Sequence, residues 1–135
     1  MNLNPYLTFD GRAAEAIAFY CDVFATEPMA VMTYSDMPST EGLPPGMEGM
    51  IAHARMQVGG VLLQISDGFG AHEGWTGFSL QLDCTSVDEA RALFEALSEG
   101  GEVVMPLQEE FWAAAFGLCR DRFGVPWMVN CEKPA

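Results

Sequence analysis

Two segments of the chain repeat apolar residues at the spacing of one helical face. The segment from Arg12 to Ala25 does so at i, i+3, i+4 and i+7, through Ala14, Ile17, Ala18, Cys21 and Phe24. The segment from Ser86 to Gly101 does so through Ala90, Leu93, Phe94 and Leu97. This spacing predicts two amphipathic helices, each with one buried stripe. Ser86 and Glu89 have the spacing of a capping box, and a glycine pair follows, so the second helix has clearly marked ends.

Strand-like segments surround both helices in the same order. One precedes each helix and three follow it: Leu3–Phe9, Glu27–Tyr34, Met50–Val58 and Val61–Ser66 in the first half, and Gly77–Cys84, Glu102–Leu107, Ala113–Arg120 and Val125–Cys131 in the second. Short glycine-containing turns, Gly59-Gly60 and Phe123-Gly124, predict hairpins. The helices also align, Glu15–Tyr20 on Glu89–Phe94. The pattern predicts an α+β fold of two tandem βαβββ modules, 1–67 and 75–135, joined by a linker at 68–74.

The segment Asp36–Gly49 lies outside this repeat. It contains three prolines and three glycines, which predicts a long loop without regular structure. Three interpretations stay open. The loop is a solvated excursion, a lid over a ligand site, or an arm that reaches a partner subunit.

Length and charge restrict the class of protein. A chain of 135 residues that is 50% hydrophobic fits a single domain, 1–135, with a sizeable core. Nineteen acidic residues against six basic ones give a net charge of −13, which opposes the approach of a nucleic acid. No apolar run approaches the roughly 18 residues of a membrane span. The first residues lack a basic and then apolar leader, so we expect a cytoplasmic protein.

The cysteines lie far apart in the sequence. They form no C-x-x-C pair and have no paired histidine, so neither a zinc knuckle nor a redox dithiol is expected. We interpret all four as reduced thiols of the core or the strands: Cys21, Cys84, Cys119 and Cys131.

The doubled β-α-β-β-β order resembles the vicinal oxygen chelate superfamily, which includes glyoxalase I, bleomycin-resistance proteins and extradiol dioxygenases. Four stretches resemble its PhnB-like branch, and the last is the most specific: Pro5–Gly11, Ile51–Arg55, Met105–Glu109 and Asp121–Glu132. The resemblance implies a glyoxalase/bleomycin-resistance-like fold in which the two modules form a cleft. It also implies a homodimer, since many members are dimeric.

Metal-dependent members of the superfamily carry four ligands, His or Gln, Glu, His and Glu, on the first and fourth strands of each module. Carried over to this chain, the pattern falls on Asn4, Gln64, Ser79 and Met128. Of these, Gln64 alone is a reasonable ligand, because Gln belongs to the family's ligand pattern, whereas a Ser, a Met and the Asn amide supply no charge to offset the desolvation of a cation. The resemblance therefore implies no metal at this tetrad, and we expect no other cofactor. Some members carry a ubiquinone-pathway methyltransferase label, but no glycine-rich nucleotide loop follows a strand here.

Alternation along Met50–Val58 divides that strand into two faces. Ala52, Ala54, Met56 and Val58 form an apolar face suited to a helix, and His53, Arg55 and Gln57 form a polar face. A tight Gly59-Gly60 hairpin would place Arg55 opposite Gln64 and His53 opposite Ser66. We predict His53 as the candidate catalytic residue. The candidate ligand-binding residues are Tyr6, Arg55, Gln57, Gln64, Ser66, Ser79, Gln81, Met128 and Asn130, and Thr8, Asp83 and Cys119 complete the predicted cleft.

Less specific interpretations stand beside these. His53 also fits a histidine on a solvated sheet face, and Arg55 fits either a structural salt bridge or a clamp for an anion or carbonyl group. His72, beside Glu73 in the linker, fits a solvated residue. Four aromatic residues fit core or dimer packing as well as ligand stacking: Phe111, Trp112, Phe116 and Trp127.

Three functions follow from this reading. The first is a metal-free small-molecule-binding protein, for example a sequestering protein, whose acidic body suits a cationic ligand. The second is an enzyme of the lyase, isomerase or dioxygenase type that uses His53, or a displaced metal site made of His53 and a carboxylate. The third is a structural dimeric scaffold. Metal content and activity toward hemithioacetals distinguish the first two.

Overall fold

A computed structural model describes residues 1–68 and 73–135. Most of the predicted linker, 68–74, and His72 lie outside the described residues. Internal contacts divide the chain into two compact units, Met1–His72 and Glu73–Ala135. The predicted module boundaries and the single domain over 1–135 stay predictions.

The first unit contains one helix and one four-stranded sheet. Its elements are β1 (Tyr6–Phe9), α1 (Ala13–Val23), β2 (Pro28–Thr33), β3 (Ile51–Val58) and β4 (Val61–Asp67). The strand order is β1-β4-β3-β2. β1 runs parallel to β4 and the other pairs are antiparallel, so the chain crosses the sheet through α1 and then forms a meander.

The second unit repeats this arrangement. Its elements are β5 (Leu80–Cys84), α2 (Val87–Ser98), β6 (Glu102–Glu110), β7 (Ala113–Arg120) and β8 (Pro126–Cys131). The strand order β5-β8-β7-β6 matches that of the first sheet, again with one parallel pair. The predicted α+β fold of two βαβββ modules is therefore confirmed. Neither helix in the described residues is long and apolar enough to cross a membrane.

Some element ends differ from the sequence prediction. β1 and β5 begin later than predicted, at Tyr6 and Leu80, and β6 continues to Glu110. The turn between β7 and β8 spans 121–125 and is longer than the predicted Phe123-Gly124 turn. The Gly59-Gly60 hairpin is as predicted, because Val58 pairs with Val61.

The core of the first unit lies between its sheet and α1. Six strand side chains are buried on the helix side: Leu7, Phe9, Ala54, Met56, Leu63 and Ile65. Cys21 on α1 reaches across, with its Sγ atom 3.9 Å from Sδ of Met56. The apolar face of β3 therefore meets the helix, as the alternation predicts.

A buried carboxylate joins the elements of the first unit. Asp67, 2% exposed at the end of β4, accepts the N–H of Ala13 at 3.0 Å and that of Ile51 at 3.1 Å. Ala13 begins α1, whose capping residue Arg12 supplies no side-chain bond, so Asp67 caps the helix from a distant strand. Tyr34 donates its hydroxyl to the Asp67 carbonyl at 2.7 Å. Burial and the nearby Asp67 charge raise the pKa of Tyr34, which keeps this donor protonated.

A second buried carboxylate organises the turn between β7 and β8. Asp121, also 2% exposed, accepts the backbone N–H groups of Phe123 at 2.9 Å and Val125 at 3.0 Å. Its other oxygen accepts the indole N–H of Trp127 at 2.9 Å. These bonds explain why the turn is longer than predicted. In a two-residue hairpin the backbone groups next to the turn pair with the opposite strand, whereas here the Asp121 carboxylate accepts the N–H groups of the turn instead.

The N-terminus of α2 is capped locally. The Ser86 hydroxyl accepts the Glu89 N–H at 3.0 Å, as the capping-box spacing predicts. The Glu89 carboxylate accepts the N–H of Thr85 at 3.0 Å, one residue before the cap.

The Asp67→Asn variant should unfold more easily than the wild type. The substitution replaces one acceptor oxygen by an amide N–H₂ that faces backbone donors, so we expect a loss of about 1.5–3 kcal/mol of unfolding free energy. Urea denaturation measures it. The control is Asp22→Asn, an exposed carboxylate on α1, which should change stability by less than about 0.5 kcal/mol. Equal stability of both variants would show that Asp67 does not hold the unit together.

Candidate functional site

The first sheet has one face that points away from α1, which we call the distal face. Alternation and strand register assign its members: Tyr6, Thr8, Ala30, Met32, His53, Arg55, Gln57, Leu62, Gln64 and Ser66. Five of the predicted site residues, together with His53, lie in this set. The face is therefore the candidate functional site.

Strand register brings Tyr6, Gln64 and Arg55 into one row across the sheet. Tyr6 pairs with Gln64, and Gln64 pairs with Arg55, as the hairpin arithmetic predicts. Ala30 pairs with Arg55 on the other side. Side chains that face each other in this way have Cβ atoms about 5 Å apart, so one small ligand can contact the row.

Tyr6 and His53 contact each other directly. The Tyr6 hydroxyl lies 3.4 Å from Nδ1 of His53, and the two ring centroids are 5.9 Å apart. Either atom can donate the proton, depending on the tautomer of the imidazole. The contact involves Nδ1 of the imidazole, and within residues 1–68 and 73–135 no hydrogen bond occupies its Nε2 atom. His53 is thus able to hydrogen-bond a ligand or to exchange a proton with one.

Two members of the predicted set differ from expectation in their surroundings. Gln57 donates its side-chain N–H to the Gly59 carbonyl at 2.7 Å, so it supports the β3–β4 turn. Ser66 is only 6% exposed. Arg55 and Gln64 make no side-chain hydrogen bond or ion pair within the described residues, which leaves them available to a ligand.

The residues at the metal positions do not fit a divalent ion. Asn4 already accepts the Leu62 N–H through its side-chain oxygen at 3.1 Å. The strand partners of Gln64 and Met128 are Tyr6 and Gln81, so neither first strand brings a charged donor beside them. Two amides, a hydroxyl and a thioether supply no charge to offset the desolvation of a cation.

The displaced metal site made of His53 and a carboxylate stays a prediction. Such a site would require a carboxylate beside the imidazole, and no Asp or Glu belongs to the distal face. Across residues 1–68 and 73–135, no three His, Cys, Asp or Glu side chains come close enough to hold a metal ion.

The second sheet also carries a polar cluster on its face away from α2. Asp83 accepts the side-chain N–H groups of Gln81 at 2.9 Å and Asn130 at 3.1 Å. Met128 is half-buried beside Gln81, and Ser79 is exposed just before β5. The four predicted residues of this half are thus near one strand pair. The cleft implied between the modules stays a prediction.

The assignment of Cys119 to the polar face is wrong. Cys119 is 1% exposed and faces α2, where it lies near the hydroxyl of Ser98 at the end of that helix. All four cysteines are free thiols. Burial, with Glu89 adding to it, raises the pKa of Cys84 to about 11, and burial also raises the pKa of Cys21 and of Cys119. Raised values keep these thiols protonated, which argues against nucleophilic roles.

The four aromatic residues fall into two groups. Trp127 is 2% exposed and bonded to Asp121, so it belongs to the core. Phe111 and Trp112 lie at the turn between β6 and β7, 87% and 48% exposed. Their rings stack edge-on with centroids 4.8 Å apart, and Trp112 reaches Phe116 at 5.7 Å.

Sequence reasoning missed two kinds of residue. β2 contributes Ala30 and Met32 to the distal face, but its sequence, Pro-Met-Ala-Val-Met-Thr, is too uniformly apolar to show alternation. Asp67 and Asp121 were not singled out. No local pattern marks either of them, since Asp67 follows Ser66 and Asp121 follows Arg120.

A family model described as 3-demethylubiquinone-9 3-methyltransferase matches residues 1–130. The chain belongs to this family. The chain also resembles individual proteins over most of its length. The YjdN protein of Escherichia coli K12 is 37% identical over 142 residues, covering 98% of this chain and 97% of YjdN.

Two solved structures support the same membership. The protein PA1353 of Pseudomonas aeruginosa has 42% identity and a TM-score of 0.89, and the match covers 99% of each chain. A Bacillus cereus PhnB protein, described as a putative 3-demethylubiquinone-9 3-methyltransferase, has 27% identity and a TM-score of 0.81, covering 97% of this chain and 99% of that one. The PhnB-like resemblance is therefore confirmed.

More distant structures share the fold. The fosfomycin resistance protein FosX of Listeria monocytogenes has 12% identity and a TM-score of 0.66, covering 98% of this chain and 93% of its own. A glyoxalase-related enzyme of Fulvimarina pelagi has 16% identity and a TM-score of 0.64, covering 98% and 89%. At these identities the likenesses show a shared fold.

Proposed function

We propose that this family member binds a small molecule on the distal face of its first sheet. The supporting observation is the row of Tyr6, Gln64 and Arg55 with His53 beside it. These side chains come from three strands and offer donors and acceptors to one ligand. Binding there, without a metal, accounts for the missing charges at Asn4, Gln64, Ser79 and Met128. Sequestration of a ligand, as predicted from the sequence, is the corresponding biological role.

Methyl transfer, which the family description names, is not part of this proposal. An adenosine-containing methyl donor fits a strand, a glycine-rich loop and a helix, because glycine lets the backbone approach the nucleotide closely. The connection from β1 to α1 is Asp10-Gly11-Arg12, and that from β5 to α2 is Thr85-Ser86. One glycine in two strand-to-helix connections does not form such a loop.

The proposal predicts where small molecules bind. Amide spectra of the isotope-labelled protein, recorded against a mixed set of neutral, cationic and anionic fragments, should change at Tyr6, His53, Arg55 and Gln64. Gln64→Ala should weaken these responses by about tenfold, the usual effect of losing a net hydrogen bond of about 1.4 kcal/mol. The matched control, Gln108→Ala on exposed β6, should leave them unchanged. Responses confined to other surfaces would contradict the proposal.

An enzyme is the second candidate function, and the Tyr6–His53 contact favours it. A histidine whose ring is oriented by a neighbouring hydroxyl is a common general acid or base. The reaction would be of the lyase, isomerase or dioxygenase type, with His53 moving a proton on the bound substrate.

His53→Gln separates binding from catalysis. In an enzyme the variant should lose roughly 100-fold or more in turnover, because glutamine cannot exchange a proton. In a binding protein it should keep most of its affinity, because the amide retains hydrogen bonds. Turnover of glyoxalase-type hemithioacetals and fragment affinity, measured on the same two proteins, decide between them. Wild-type turnover in the variant would exclude His53 as acid or base.

We also propose a homodimer that forms through the β6–β7 turn. Phe111 and Trp112 expose large aromatic surfaces there, and β6 is the edge strand of its sheet, with Val103 48% and Val104 54% exposed. Register irregularities along β6, together with Pro106, disfavour pairing of this edge with a second backbone. Side-chain contact by the aromatic pair is therefore the mode that the surface supports.

Light scattering tests the dimer. The wild type at micromolar concentration should have twice the chain mass of 14.7 kDa. Phe111→Ser should shift the population toward the monomer, because it removes the most exposed aromatic ring of the interface. Leu3→Ser, which changes a 93% exposed residue outside both sheets, is the control. A wild-type mass of one chain would refute the dimer and remove the partner-arm interpretation of loop 36–49.

A cytoplasmic location completes the proposal. Four free cysteines with three of them buried fit a reducing compartment, in which thiols persist.

A further inference from the structure

The basic residues of this chain are few, and five of the six have partners. Arg12 pairs with Glu15, Arg91 with Asp88 and Lys133 with Glu109. Arg120 and Arg122 donate to backbone carbonyls. Arg55 is different: within residues 1–68 and 73–135 its guanidinium makes no hydrogen bond and no ion pair. Because the chain has 19 acidic residues, the lack of an acidic partner for Arg55 requires an explanation.

The composition of the first sheet explains why Arg55 has no acidic partner. The four strands of the first sheet contain one acidic residue, Asp67. Its carboxylate accepts the Ala13 N–H at the start of α1, so it belongs to the helix side. No carboxylate therefore shares the distal face with Arg55, although the chain as a whole has a net charge of −13.

The neighbours of Arg55 are neutral hydrogen-bonding groups or small side chains. Gln64 is its partner on β4 and Ala30 its partner on β2. Ala30 projects only a methyl group, so it offers Arg55 no hydrogen-bonding partner. The amide of Gln64 and the hydroxyl of Tyr6 extend the row and supply additional donors. The row of Arg55, Gln64 and Tyr6 contains a positive charge and no negative charge. A ligand can supply the negative charge.

We infer that the ligand of the distal face carries an oxyanion, a carboxylate or a phosphate, that Arg55 binds through its guanidinium. The inference rests on the proposed function, which it deepens by naming the ligand class. A guanidinium offers two parallel N–H donors that match the spacing of carboxylate and phosphate oxygens. The ligand class differs from the cationic ligand expected from net charge alone. Net charge acts at long range and is screened within about 8 Å at physiological salt, whereas the guanidinium acts at contact.

Simple anions test the inference. The isotope-labelled protein is titrated with inorganic phosphate and with acetate at constant ionic strength and pH, and amide shifts of His53, Arg55 and Gln64 are followed. We expect saturable shifts at millimolar anion. Arg55→Gln should weaken binding by about tenfold or more, the effect of losing a charge-assisted hydrogen bond. Arg55→Lys should retain part of the affinity, because it keeps the charge and loses the two-pronged geometry.

Arg91→Gln is the matched control. Arg91 is an exposed arginine paired with Asp88 on α2, so the variant changes the net charge by the same amount as Arg55→Gln and leaves the distal face intact. It should bind both anions like the wild type. Native-like amide spectra of each variant verify that it folds.

The outcomes separate this inference from the proposed function. If fragments that are neutral or cationic shift the distal face and neither anion does, the oxyanion inference is overturned and the proposed function stands. Equal anion binding by wild type and Arg55→Gln overturns the inference as well, since the anion then binds elsewhere. If neither anions nor fragments shift this face, both fail. Saturable anion shifts that are lost in Arg55→Gln and kept in Arg91→Gln establish the inference.

Discussion

One buried carboxylate in each unit satisfies backbone N–H groups that the fold would otherwise leave unpaired. Asp67 receives the first N–H of α1 and the first N–H of β3, so one side chain closes the sheet against its helix. Asp121 receives two N–H groups of the β7–β8 turn and the indole of Trp127. An unpaired buried donor costs about 1–3 kcal/mol, and these two residues together pair five donors. The sheets that carry the candidate site depend on this pairing.

The Asp121–Glu132 stretch gave the most specific resemblance to the PhnB-like branch, and the structure shows a structural role for its first residue. Asp121 and Trp127 set the length of the turn and bury the indole, and neither faces the polar cluster of the second sheet. A motif that identifies a family can therefore consist of residues needed for folding, and such a motif does not indicate which ligand the protein binds. The proposed ligand binding rests on less distinctive residues, such as Arg55 and Gln64.

The sequence could predict what its periodicity encodes. β3 alternates between polar and apolar residues, so its buried face could be predicted. It also precedes a two-glycine hairpin, so the pairing of Arg55 with Gln64 could be predicted as well. β7 reads Ala-Ala-Ala-Phe-Gly-Leu-Cys-Arg, with small or apolar residues on both faces, and the side to which Cys119 points was not encoded in a local pattern. The same uniformity hid the contribution of β2. Long-range bonds such as Asp67 to Ala13 have no local signature, because they depend on tertiary contact alone.

The pairing of Arg55 with Gln64 shows how this fold can form a binding site without a metal ion. The superfamily resemblance implies that Gln64 stands at the position of a metal ligand in metal-dependent members, and Arg55 is its direct strand partner. A divalent ion about 6 Å from a guanidinium would be repelled on the order of 5 kcal/mol at an effective dielectric constant of about 20. The same field attracts a carboxylate or phosphate group to the same place. A fixed organic cation can thus supply positive charge on this face, as the proposed function requires, without the carboxylate ligands that a metal ion would need and that the distal face lacks.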